Sequence, residues 1–170
     1  MILDEKDIPL DKKSFLLSML ANLTSSLENV VGLEEAEGFF SIVGATIGED
    51  LSKEYRKVFG RNSLTTQEIA NVLVDLKRRI DGGFSMERIT DETIILVNDR
   101  CPFGDKALGR KSLCMMTSNV FGSIASDAAG QANVELRETI ASGSPRCRVV
   151  VYLNQLEAPG LQYFASNGDG

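Results

Sequence analysis

Histidine and tryptophan are absent from the chain. Without histidine there can be no Ser–His–Asp or Cys–His catalytic arrangement, and no imidazole to complete a tetrahedral zinc site. Carboxylate acid–base chemistry would still be available, but no pair of acids stands out, so the expectation is a protein that is not an enzyme. Basic charge is scarce as well: 18 Lys and Arg against 24 Asp and Glu leave a net charge of −6. That balance excludes the broad basic surface that direct nucleic-acid binding requires. The one basic cluster, Lys77-Arg78-Arg79, reads as the last turn of a helix, matched to the helix dipole. No apolar run approaches the roughly 20 residues needed to span a bilayer. The acidic stretch Met1–Leu10 lacks the features of a signal peptide. Cysteine is sparse and odd in number, three in 170 residues. Such spacing does not make a disulfide framework. It points to a cytoplasmic chain whose thiols are either reduced or metal ligands.

What remains is an ordinary globular composition, 43 % apolar and 25 % charged, in a length suited to one domain. Residues 1–10 read as a flexible arm ending near Pro9. From Asp11, a predicted N-cap, apolar residues recur at Phe15, Leu16, Met19, Leu20, Leu23, Leu27, Val30 and Val31, and Gly32 stops the helix. A second helix is predicted from Leu33 to Phe59, striped by Ala36, Phe40, Val43, Ile47, Leu51, Tyr55 and Val58. Gly44 and Gly48, one turn apart, imply a closely approaching backbone, from a second subunit or from the same chain. Thr65 and Glu68 form a capping box. It opens a third helix with Ile69, Val72, Leu73, Leu76 and Ile80 on one face, ended by Asp81-Gly82-Gly83. After Gly83 the period changes from helix to strand. "FSMERIT" and "TIILVND" read as a hairpin, Ser112 to Ala129 as an amphipathic helix, and "ANVELRETIASGSPRCRVVVYLN" as a closing hairpin. Residues 11–81 thus form a helical part and 83–156 a β-β-α-β-β part. The fold class is α+β, three N-terminal helices followed by an antiparallel sheet with helices on one side. Residues 157–170, glycine-rich and without period, read as a disordered tail.

Chemistry concentrates in "NDRCPFGDKALGRKSLCMMTSN", Asn98 to Asn119, which holds two of the three cysteines with twelve residues between them. Pro102 forces Cys101 into an extended conformation. Cys114 falls at a helix start, where the macrodipole favours a thiolate. Cys147 shares a strand face with Val149, Val151 and Leu153, opposite Arg146, Arg148, Val150 and Tyr152. A strand end, a helix start and a neighbouring strand can converge on one hollow. The candidate ligand-binding set is Cys101, Phe103, Cys114, Met115 and Cys147. Three readings stand open: a ligand pocket, a zinc or iron–sulfur site made by Cys101, Cys114 and Cys147, and a structural core of an adaptor protein that happens to contain sulfur. The mixed-charge rim of Asp99, Arg100, Asp105, Lys106, Arg110 and Lys111 either grips an anion or pairs with itself. Gly104 and Gly109 do not match a phosphate-binding loop.

The motifs "VVGLEEAEGFFSIVGATIGEDL", "VLVDLKRRI", "CPFG", "LCMMTSN" and "VELRETIASGSPRCRVVVYL" resemble those of the methanogen output domain family over nearly the whole chain. From Phe84 to Leu153 the chain is similar, more distantly, to 4-vinyl reductase sensory domains. The cysteine rhythm also looks like the C-terminal half of iron–sulfur-sensing winged-helix repressors. The resemblance implies a sensory domain over residues 11–156 that binds a small molecule or redox cofactor. It also implies a homodimer through the N-terminal helices, coupled to a signalling partner. Carried over by position, Cys101 and Cys114 match the repressors' first pair of cluster ligands and Cys147 the last. The intermediate ligand of that pattern would fall near Ala128, where this chain has no cysteine.

Overall fold

The computed structural model describes residues 10–166. The predicted arm, except for Leu10, and the last four residues of the predicted tail lie outside them. Helix α1, Lys12–Val31, begins where the Asp11 carboxylate accepts the Ser14 amide at 2.8 Å and the Ser14 hydroxyl accepts the Asp11 amide at 3.0 Å. Both are donors that a helix start leaves unsatisfied. Gly32 separates it from α2, Leu33–Phe59, which opens on Glu34 and Glu35 and closes on Arg56 and Lys57, as its dipole favours. The Thr65–Glu68 capping box opens α3, Thr66–Arg79. A hydrogen bond of 2.9 Å from the Tyr55 hydroxyl to Asp75 ties α2 to α3.

Strands β1, Phe84–Ile89, and β2, Thr93–Asn98, form the first hairpin. A looped segment with two short 3-10 turns leads to α4, Cys114–Ala129. Strands β3, Gln131–Glu138, and β4, Cys147–Leu153, form the second hairpin. With a fifth strand, β5, at Leu161–Phe164, all pairings are antiparallel, in the order β1-β2-β4-β3-β5. In the register, Ile94 faces Val151 and Leu96 faces Val149 across β2 and β4. Those four side chains, with Phe84 and Val134, make the sheet side of the core. Ile69, Leu73, Phe121 and Ile124 from α3 and α4 close it.

The fifth strand, β5, Leu161–Phe164, corrects the reading of 157–170 as a disordered tail. It pairs with β3 from Gln131↔Phe164 to Val134↔Leu161. Its anchor is Tyr163, whose ring packs so closely on Gly122 of α4 that a methyl group there would collide with it. The Tyr163 hydroxyl lies 2.9 Å from Ser118 Oγ. One inward aromatic on a four-residue edge strand is too short a signal to show a period.

The helical stripes also need correction. In α2 the buried row is Ala36, Phe40, Gly44, Gly48 and Ser52, every fourth residue, while Val43, Ile47 and Val58 are exposed. In α1 the buried residues are Ala21 and Thr24, and Phe15, Leu16, Met19, Leu23 and Val30 face outward. Small residues, rather than the large apolar ones, face the rest of the chain because α2 and α4 approach closely. A Cβ at Gly44 would stand 2.9 Å from Asn119 Cβ, and one at Gly48 would stand 2.7 Å from Ser123 Cβ. The close backbone implied by these glycines is therefore α4 of the same chain.

Two glycines of α2 then give opposite outcomes on replacement. Gly48→Ala should destabilise the fold by about 1–3 kcal/mol through overpacking. Gly38→Ala, with no atom within 4 Å of the new methyl, should stabilise it by up to about 1 kcal/mol through helix propensity. Urea denaturation of both variants beside wild type checks the pair.

Candidate functional site

The loop between β2 and α4 roofs a cavity of about 30 Å³ at one end of the sheet. Asn98, buried at the end of β2, fixes the departure of this loop. Its side-chain amide donates to the Gly82 carbonyl at 3.1 Å and the Arg100 carbonyl at 2.6 Å, and its oxygen accepts the Cys147 amide at 2.8 Å. The chain then turns at Cys101-Pro102-Phe103-Gly104, closed by a 2.8 Å bond from the Gly104 amide to the Cys101 carbonyl. The Gly109 amide, bonded to the Ala141 carbonyl at 2.9 Å, ties the roof to the β3–β4 connection.

Cys101, Phe103, Cys114 and Cys147 all line this cavity, together with Phe84, Leu113, Thr117 and Val149. The fifth predicted residue, Met115, does not line it. One position past Cys114 on the helix, it points about 100° away from the cavity-facing residue. All three thiols are free and half-buried. Burial pushes each of them above the ordinary cysteine value, Cys114 to about 11. The expected thiolate at Cys114 is overridden for a local reason. A 3-10 turn, Lys111–Leu113, precedes α4, and the Cys114 amide already bonds to the carbonyls of Lys111 and Ser112. The positive end of the dipole therefore lies upstream of the sulfur.

Such a donor set does not fit a metal or an iron–sulfur cluster. Among the described residues no group of three or more Cys, Asp and Glu side chains is arranged to hold a metal ion. Ligation requires thiolates, and here apolar walls favour thiols. A buried cation also lies within electrostatic reach of all three sulfurs.

That cation is Lys77, part of the dipole-matching basic last turn of α3. Arg78 and Arg79 of the same turn pair with Asp75. Lys77 is 4 % exposed and turns inward, while Ile80, expected inside, is 47 % exposed. The Lys77 Nζ donates to Thr117 Oγ1 at 2.7 Å and sits 5.4 and 5.1 Å from the ring centres of Phe84 and Phe121. Spacing alone carried a signal for this: Lys77 is four residues beyond Leu73 and eight beyond Ile69, on the buried row of α3. Burial lowers its pKa from the ordinary 10.5 to about 8, an effect partly opposed by the three neighbouring thiols.

The rim charges do not converge on an anion site. Arg110 instead fastens the roof to α1, donating from Nε to the Ala21 carbonyl at 2.9 Å and to Ser25 Oγ at 2.8 Å. Glu28 of α1 accepts from the Ser112 hydroxyl at 2.6 Å and from its amide at 3.1 Å. Asp99 and Arg100 are exposed and 3.8 Å apart, a weak surface pair.

A charged amine without a carboxylate costs stability, and its titration makes that cost measurable. Below pH 8 the folded chain holds a desolvated ammonium. Between about 8 and 10.5 the folded Lys77 has released a proton that the unfolded chain retains, so its cost disappears as pH rises. Lys77→Met should therefore exceed wild type in stability by about 3 kcal/mol at pH 7. That advantage should vanish by pH 10.5. The raised thiols act in the opposite direction in both proteins, lowering stability above the ordinary cysteine value of 9.0. Denaturant titrations of the two proteins across this range separate the contributions.

No curated protein matches the chain. Among solved structures it is similar to the phenol-responsive sensory domain of the transcription activator PoxR, with phenol. The TM-score is 0.66 at 16 % identity, over 90 % of this chain and 76 % of that one. It is also similar to a trafficking protein particle complex subunit 3 from Naegleria fowleri, covalently bound to palmitic acid. There the TM-score is 0.55 at 14 % identity, over 90 % and 99 % of the two chains. At such identities the likeness is one of fold. Residues 15–152, which carry α1 to β4 and the whole cavity wall, match the family model described as methanogen output domain 1, and the chain belongs to that family.

Proposed function

We propose that this chain is a non-catalytic sensory domain that takes a small, largely apolar molecule into the cavity beneath the Cys101–Leu113 roof and passes the event to α1. The observation that carries this reading is that the roof of the cavity and the helix beside it share their fastenings. A void of about 30 Å³ holds little more than one or two waters, whereas a benzene-sized guest needs on the order of 150 Å³. A guest of that size enters only if the roof lifts. Beside the Gly109 tie to Ala141, the side chains that hold the roof down are Arg110 on Ala21 and Ser25, and Ser112 on Glu28, and these are ties to α1. Occupancy and the seating of α1 are thus linked. A ligand that prefers the lifted arrangement by about 1.4 kcal/mol shifts the population tenfold. The likeness of fold to the phenol-responsive PoxR domain supports a small aromatic as the kind of guest.

The receiving surface is a second copy of the chain. α1 leaves Phe15, Leu16, Met19, Leu23 and Val30 exposed, and α2 adds Phe39, Ile42, Val43 and Ile47. Large apolar residues exposed together on two helices are the kind of surface that marks a protein–protein contact. The same helices are those through which the family resemblance implies dimerisation.

Saturating phenol, toluene or benzyl alcohol should raise the melting temperature by roughly 5–10 °C, the equivalent of ligand at about a hundred times its Kd. The same ligands should slow alkylation of Cys101, Cys114 and Cys147 at least tenfold. Ala107→Met, which plugs the cavity from its roof, should abolish both effects. An unchanged melting temperature with every probe removes the pocket and leaves the cysteines as core. Light scattering tests the dimer: wild type should run at twice the mass of a Phe15→Glu, Leu23→Glu double variant whose circular dichroism is unchanged.

A further inference from the structure

Lys77 is a feature the ligand reading leaves unused. It is a buried ammonium with three donors, and among the described residues no carboxylate lies within ion-pair distance of it. Its one polar partner, Thr117, spends an oxygen lone pair on it at 2.7 Å. The hydroxyl proton of Thr117 has no acceptor among the described residues. Of the three residues against which Nζ rests, Thr117 and Phe84 are themselves cavity walls, and Phe121 and Lys77 lie behind them.

Acceptors on the same wall are already committed. The Asn98 oxygen is taken by the Cys147 amide, the Thr139 hydroxyl by the Ser142 amide, and the Cys147 sulfur receives the Ile140 amide at 3.4 Å. The wall therefore carries the free hydroxyl proton of Thr117, with the Lys77 ammonium directly behind it in apolar surroundings. A buried charge is costly unless paired, and neither an aromatic face nor a hydroxyl neutralises it.

We propose that Lys77 is the anchor for the anionic end of the ligand, and that the ligand class is a small organic monoacid. Its carboxylate or phenolate oxygen faces Lys77 and the Thr117 hydroxyl, and its apolar body lies between the thiols and the roof. This rests on the cavity reading above and narrows it from apolar guests to acidic ones. An ammonium meeting a carboxylate in a dry site makes a charge-assisted hydrogen bond, which a neutral guest cannot supply.

Matched pairs of probes test it: benzoate with benzyl alcohol, phenylacetate with 2-phenylethanol, and butyrate with butanol, each titrated by calorimetry at pH 7 and constant ionic strength. At least one acid should bind ten times or more tighter than its alcohol. In Lys77→Met that preference should fall below twofold while the alcohol's affinity is kept. Thr117→Val should reduce the preference by a smaller factor. Alcohols that bind wild type as well as their acids overturn the anchor and leave the cavity reading intact. Acid preference that survives in Lys77→Met overturns it too. If neither series binds and the thiols alkylate at the same rate throughout, both readings fall together.

Discussion

The approach of α2 to α4 sets the position of the helix that carries Cys114 and Thr117 to the cavity. The contact is made by a row of small residues, Gly44, Gly48 and Ser52 on one helix, meeting Met116, Asn119, Val120 and Ser123 on the other. Held this close, α4 presses its opposite side onto the sheet. Cys114, Thr117 and Phe121 hang from that helix on the cavity side, and Gly122 provides the hollow into which Tyr163 fits. A side chain of ordinary size at the α2 seam would force the two helices apart.

Within that frame, desolvation decides each contest at the site. At Cys114 it raises the thiol above its ordinary value, and neighbouring Cys147 acts in the same direction. At Lys77 it opposes ionisation and lowers the proton affinity without abolishing the charge. Both results follow from the same wall composition, aromatic and aliphatic residues from β1, β4 and α4 surrounding few polar atoms. A site of this kind solvates charge poorly. It does not hold its sulfurs as ligands, because thiolates would need solvation that these walls do not give.

Much of the fold was legible because capping chemistry and period are local. Asp11 with Ser14, Gly32, Gly60 and the Thr65–Glu68 pair bound the three helices, and the observed span of α2 is the predicted one. The change from helical to two-residue period at Gly83 located the sheet, and the face of β4 that carries Cys147, Val149 and Val151 is the inward one. Cys114 and Cys147 stand at element starts and Cys101 in the loop after β2, and all three line the same cavity. What escaped depends on partners distant in the chain. Lys77 reads as a surface residue by type, and only its place on the buried row of α3 betrays it. Arg110 reads as rim charge, because its partner is a main-chain carbonyl 89 residues away. The helical stripes misled because large apolar residues in α1 and α2 face away from the core, and glycine and serine face it.

The family match stops at residue 152, but the sheet does not. β5 covers the flank of β3 and brings Tyr163 onto α4 beside Ser118, one turn from Cys114. Cut at residue 152, this chain would lose the strand that shields the middle of α4. The structural unit is thus longer than its recognisable signature, and a boundary drawn by similarity alone cuts through a hydrogen-bonded ladder.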